Sequence, residues 1–153
     1  MTKHEKFISL LRKAQKAMEQ YVMEEELEYK TCVTSPRELY ELMLPFYSHE
    51  QEVFVVVGLD GAHKPVFSKE VTRGLVNRTL AHPREVFADA VANRCVAIAI
   101  GHNHPSGNLT MSNEDIAVTK TCKAAGDVLG IKLLDHIVFG INGYHSAVEH
   151  GEF

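Results

Sequence analysis

Two histidines one residue apart, at the end of an apolar run and just ahead of a proline, constrain this chain more than any other feature. The run Val96-Ala97-Ile98-Ala99-Ile100-Gly101 leads into His102-Asn103-His104-Pro105, and a turn-rich stretch then reaches Ser112-Asn113-Glu114-Asp115. A short apolar run bounded by turn signals reads as a buried strand. With the chain extended through His104, both imidazoles project from one face, because strand side chains alternate. Pro105 favours this by steering His104 away from the α region. Residues 105–111 span at most about 25 Å when extended, ample to turn back and set Asp115 beside the imidazoles.

Two imidazole nitrogens and one carboxylate oxygen form a ligand set with a definite chemical meaning. It suits Zn²⁺ in a catalytic geometry whose fourth position is left to water, whereas structural zinc sites are closed and cysteine-rich. Such a metal lowers the pKa of its water to roughly 7. Ser112 serves as the N-cap of a helix with Asp115 at the third helical position, and its hydroxyl proton stays free for a developing oxyanion. Either fragment alone is more often structural, since His-x-His occurs by chance and Ser-x-x-Asp is a common helix start. Their order after a buried strand favours the metal reading.

The unit His102-x-His104, seven intervening residues, then Ser112-x-x-Asp115 resembles the JAMM motif of the MPN/Mov34 metalloprotease superfamily. The words His82-Pro83-Arg84-Glu85, Gly101 to Gly107 and Gly130 to Gly140 are similar to those of its RadC branch, and the resemblance covers about residues 31–151. It implies a single α/β domain of the MPN/JAMM type, like the cytidine deaminases, with a mixed central sheet flanked by helices. It further implies zinc held by His102, His104 and Asp115, an oxyanion assisted by Ser112, and an upstream glutamate as general base. Longer RadC relatives carry a helix-hairpin-helix region ahead of the catalytic domain, and the stretch before the resemblance here is too short for one.

At 153 residues and 45% hydrophobic content, the chain is sized for one compact domain. Its formal net charge of −4 and dispersed basic residues disfavour a dedicated nucleic-acid binder. Cys32, Cys95 and Cys122 are odd in number and widely spaced, as expected of reduced thiols in a cytoplasmic protein. No apolar stretch approaches the ~18 residues of a membrane span.

Residues 1–30 are expected to form an amphipathic helix, with Phe7, Leu10, Leu11, Ala14, Met18, Tyr21 and Val22 on one stripe and Glu24-Glu25-Glu26 as its solvated end. The stripe suits packing on the chain's own domain or, as the alternative, a homo-oligomer. Residues 31–153 form the second region. The composition turns β-like from Tyr29 to Val33, and Ser35-Pro36-Arg37-Glu38 is a capping box that starts a helix carrying Leu39, Leu42, Met43 and Phe46. Glu52 then precedes Val53-Phe54-Val55-Val56-Val57-Gly58-Leu59, too continuously apolar for a half-exposed strand and therefore central. A strand from Val66 to Thr72, a helix after His82, a helix from Asp115 to Gly130, a strand from Ile131 to Phe139 and a hairpin at Asn142-Gly143 follow.

Glu52 is the candidate base: it stands at the mouth of a buried strand and in the place of the JAMM glutamate. Its bland reading is a surface charge. Glu85 is the rival, although a first-turn acid suffices to explain it, and His82 reads as a cap or surface histidine. His136 reads as a hydrogen-bonded core or edge histidine, since a fourth protein ligand would close the position hydrolysis needs. The expected function is a zinc metallopeptidase cleaving a peptide or isopeptide of unspecified identity. The alternatives are a non-catalytic MPN interaction module and an accessory of DNA repair or mobile elements.

Overall fold

A computed structural model describes residues 2–28 (backbone alone from residue 20), 32–74 and 81–153. The chain divides into two units, Met1–Thr31 and Cys32–Phe153. The first contains helix α1, Lys3–Glu28. Among the described residues of this unit nothing covers Phe7, Leu10, Leu11 and Met18, which are exposed. The stripe positions Tyr21 and Val22, the Glu24–Glu26 side chains and the turn to β composition at 29–31 lie outside the described residues.

The second unit follows from its apolar runs. In order it contains α2 (Pro36–Met43), a 3₁₀ turn (Leu44–Phe46), β1 (Glu52–Leu59), β2 (Pro65–Gly74), α3 (Pro83–Ala92), β3 (Ala97–His102), α4 (Asn113–Leu129), β4 (Lys132–Gly140) and β5 (Gly143–Ser146). The sheet order is β2-β1-β3-β4-β5. Only β3 and β4 are parallel, joined across α4, and the other neighbours are antiparallel. This is the mixed sheet flanked by helices that the resemblance implies.

β1 and β3 are buried along almost their whole length because both faces of the sheet are covered. Phe54, Val56, Ile98 and Ile100 meet Val86, Phe87 and Cys122 of α3 and α4 on one face, while Val53, Val55, Val57 and Leu59 meet Leu39 and Met43 of α2 on the other. Each fully buried side chain of this kind contributes roughly 1.5–3 kcal/mol. The helices begin and end as their local chemistry dictates. At α2, Glu38 reaches back to accept from the Ser35 and Thr34 amides at 3.0 and 2.6 Å. At the end of α4, Gly130 adopts φ 70°, the left-handed cap a glycine takes without strain.

Three strand details differ from what the sequence pattern suggests. The β4–β5 turn centres on Ile141 and Asn142, with Gly140 paired to Gly143, so Gly143 belongs to β5 and not to the turn. β5 ends at Ser146, so of the stretch Tyr144 to Val148 that the hairpin should return antiparallel, the last two residues lie outside the strand. In β4, Ile98 pairs with Leu133 but Ile100 pairs with His136, so β4 carries one extra residue against β3. That bulge reverses the alternation and turns His136 toward the α4 face.

Candidate metal centre

The site lies where the C-terminal end of β3 meets the N-terminus of α4. His102 is the last residue of β3 and faces α4 with Ile98 and Ile100, because all three are of one strand parity. The chain then leaves the sheet through His104 and turns at Gly107, whose amide bonds the His104 carbonyl at 2.8 Å and whose φ of 79° is open to glycine. The loop closes on His104 itself, which donates from Nδ1 to the Asn108 carbonyl at 2.7 Å. A neutral imidazole has one N–H, so this bond leaves Nε2 as a lone pair.

α4 begins as its capping sequence requires. The Asp115 amide donates to Ser112 Oγ at 3.1 Å, and the Ser112 amide donates to Asp115 Oδ2 at 2.9 Å. The box aims the carboxylate back past the helix end, where Oδ2 lies 3.1 Å from Nε2 of both His102 and His104. The two Nε2 atoms are 3.0 Å apart. Glu52 completes the group, with all four ligand atoms within 4.8 Å of one another. Its position follows from register: Phe54 pairs with His102, and Glu52, two residues before Phe54, shares its face.

The electrostatics call for positive charge at the centre. Burial pushes the Glu52 carboxyl up from its ordinary value, and the neighbouring His102 and His104 offset only part of this. Burial also opposes ionisation of Asp115, but the imidazoles of His102 and His104, which donate to it from Nε2 only when protonated, and the Ser112 amide prevail and hold it well below the usual carboxylate range. The Asp115 carboxylate, ready to accept a proton's bond from Nε2, raises His104. Two carboxyl groups and two imidazoles therefore draw in either a proton or a cation. The 3.0–3.1 Å separations are close to the ~3.3 Å edge of a tetrahedron with metal–ligand bonds of 2.0–2.1 Å, so the donor set fits a small divalent metal.

The structure brings together every residue that the sequence proposed for the site. Glu52, His102, His104 and Asp115 form the group, and half-buried Ser112 borders it as the N-cap of α4. Glu85 is exposed on α3, outside the group, and His82 caps α3 by accepting from the Arg84 amide at 3.1 Å. His136 is a buried hydrogen-bonded histidine one step behind His102, with its Nε2 2.7 Å from His102 Nδ1.

Two supporting residues escape sequence reasoning. Asn103 is fully buried between the two histidines. Its Oδ1 accepts from the Val53 amide at 2.7 Å, and its Nδ2 donates to the carbonyls of Ser48 and Gln51 at 2.7 and 3.1 Å. It thereby pins the segment that carries Glu52. Thr119 bonds His136, as described below. A polar residue on the inward side of a strand end is the one available signal for Asn103, because buried amides require partners.

A mixed α/β domain with two histidines, an aspartate and a glutamate converging at a strand end defines a candidate metal centre. The chain belongs to the RadC-like JAB domain family, whose model matches residues 33–152. It is 40% identical over 130 residues to a UPF0758 protein of Pelobacter propionicus, covering 82% of this chain and 55% of that relative. It is 41% identical over 119 residues to one of Geotalea uraniireducens, covering 77% and 52%, and 52% identical over 89 residues to one of Methanospirillum hungatei, covering 58% and 40%. The chain thus spans about half the length of the curated relatives it matches.

Proposed function

We propose that this domain is a zinc-dependent hydrolase of amide bonds, with a peptide or isopeptide as substrate. The observation that carries the reading is the convergence of Glu52 on three ligand atoms held within 3.1 Å of one another. His102, His104 and Asp115 would hold the metal, and zinc is the choice because two imidazoles and one carboxylate form a recurrent catalytic zinc set. When bound, zinc supplies Lewis acidity that brings a water's pKa toward ~7 and polarises a carbonyl. Glu52, its carboxyl raised by burial, takes the proton of the attacking water at a carboxylate oxygen and delivers it to the leaving nitrogen. Ser112 Oγ accepts from the Asp115 amide, so its own proton is free to donate to the oxyanion.

A non-catalytic interaction role is disfavoured by the intact ligand set and by the presence of a base beside it. Direct DNA binding is disfavoured by the net charge of −4. Among the described residues no helix is long and apolar enough to cross a membrane, and Cys32, Cys95 and Cys122 are all free, which suits a reducing cytoplasmic setting. The test is elemental analysis of wild type beside His104→Ala and Asp115→Ala. One zinc per chain in wild type, lost in both variants, is expected, followed by peptide and isopeptide hydrolysis that Glu52→Ala lacks. Absence of stoichiometric metal after reconstitution, or iron in place of zinc, would overturn the reading.

A further inference from the structure

Behind the ligand group runs a buried chain of hydrogen bonds that returns to the residue it started from. Thr119 Oγ1 lies 2.7 Å from the Asp115 carbonyl and 2.6 Å from His136 Nδ1. His136 Nε2 lies 2.7 Å from His102 Nδ1, and His102 Nε2 faces Asp115 Oδ2 at 3.1 Å. We propose that Thr119 and His136 are positioning residues that fix the tautomer of His102, keeping the proton on Nδ1 and presenting Nε2 to the metal as a bare lone pair.

The argument is a count of protons. A carbonyl oxygen only accepts, so the single hydroxyl proton of Thr119 points at Asp115. Toward His136, Thr119 Oγ1 can then only accept, and the proton between them belongs to His136 Nδ1. His136 is 1% exposed, and its two ring nitrogens meet a hydroxyl and an imidazole, with no carboxylate to offset a buried charge; with its one proton donated from Nδ1 to Thr119 Oγ1, the neutral ring leaves Nε2 bare. The proton in the next bond must therefore sit on His102 Nδ1. Reversing any one bond reverses the next, and the far end of a reversed relay puts a proton on the nitrogen that faces His104 and Asp115.

Three features of the fold maintain this order. The β4 bulge opposite Ile98 and Ile100 aims His136 at α4 instead of the α2 face. Thr119 is fully buried one turn after Asp115, where a hydroxyl reaches the carbonyl four residues back. The Phe54 ring, edge-on to His136 at 6.1 Å between centroids, packs beside the imidazole. Asp115 thus acts twice, its carbonyl ordering the relay and its carboxylate sharing the metal. Outer partners of this kind typically govern 10–100-fold in metal affinity.

The inference rests on the metal reading above, and its test separates the two. Imidazole tautomers are read by long-range proton–nitrogen NMR in metal-free protein at mildly alkaline pH, and zinc affinity by competition with a chromogenic chelator. Wild type should show His136 protonated at Nδ1. Thr119→Val keeps the side-chain shape but removes the acceptor; it should move the His136 proton to Nε2 and weaken zinc binding by about 10–100-fold. Thr119→Ser should restore both. A wild-type His136 protonated at Nε2 would overturn the relay even if no variant folds, and so would a folded Thr119→Val with wild-type affinity. Failure of the metal reading shows separately, as wild type with the stated tautomers that takes up no zinc, and that result would overturn the step from relay to ligand.

Discussion

Two helices of this domain start on the same local device, and only one of them became part of the site. At α2, Ser35 and Glu38 form a capping box whose carboxylate accepts from the Ser35 amide and from the Thr34 amide and hydroxyl. At α4, Ser112 and Asp115 form the equivalent box, yet Asp115 Oδ2 also meets two imidazoles at 3.1 Å. The first carboxylate is taken up by the Thr34 and Ser35 amides and the Thr34 hydroxyl. The second is half-buried at the mouth of β3, where the strand delivers His102 and His104. A capping box is therefore a local structure whose chemistry depends on what the tertiary fold brings to its open side.

The sharpest way to break the comparison is Asp115→Ala, which should abolish stoichiometric zinc, whereas Glu38→Ala should leave it at wild-type level; elemental analysis of both decides. Glu52→Gln comes next: zinc content should be unchanged while hydrolysis of the best substrate found falls by at least ~10²-fold, the usual scale of a lost general base. Asp115→Glu tests reach alone, because the longer acid can still cap but moves its oxygen relative to both imidazoles. Zinc affinity should drop by about tenfold or more with little change in Tm.

Asn103→Ala probes the link between the two regions, since Asn103 ties the chain leaving α2 to the histidine pair. It strands the Val53 amide and the Ser48 and Gln51 carbonyls, and should cost about 2–4 kcal/mol in urea unfolding. The smallest effect is expected of Glu38→Ala itself, a slight fall in Tm from a frayed helix start.

Much of this arrangement was legible in the sequence. The uninterrupted apolar runs at 53–59 and 96–100 demanded strands covered on both faces, and β1 and β3 are those strands. The spacing of His102, His104, Ser112 and Asp115 held enough local geometry to assemble, because strand alternation, a proline, a short loop and a helix cap each act over a few residues. The choice between Glu52 and Glu85 was less accessible. Both precede apolar elements at a plausible place, and only the pairing of Phe54 with His102 puts Glu52 on the metal face while Glu85 stays exposed on α3.

His136 and Asn103 mark the boundary most clearly. Both are polar residues within or beside buried strands, and sequence establishes only that each must find hydrogen bonds. Which bonds they find depends on contacts far along the chain: Asn103 with a segment about 50 residues earlier, His136 with a helix turn and a strand end. The bulge that turns His136 toward α4 depends on how β4 registers against β3, a relation between two strands that neither strand's residues specify alone. Local physics determined the elements, their caps and the candidate ligand set of this protein. Register and packing decided which acid faces that set and which buried groups hold it in order, because these are non-local pairings chosen only when the whole sheet closes on its helices.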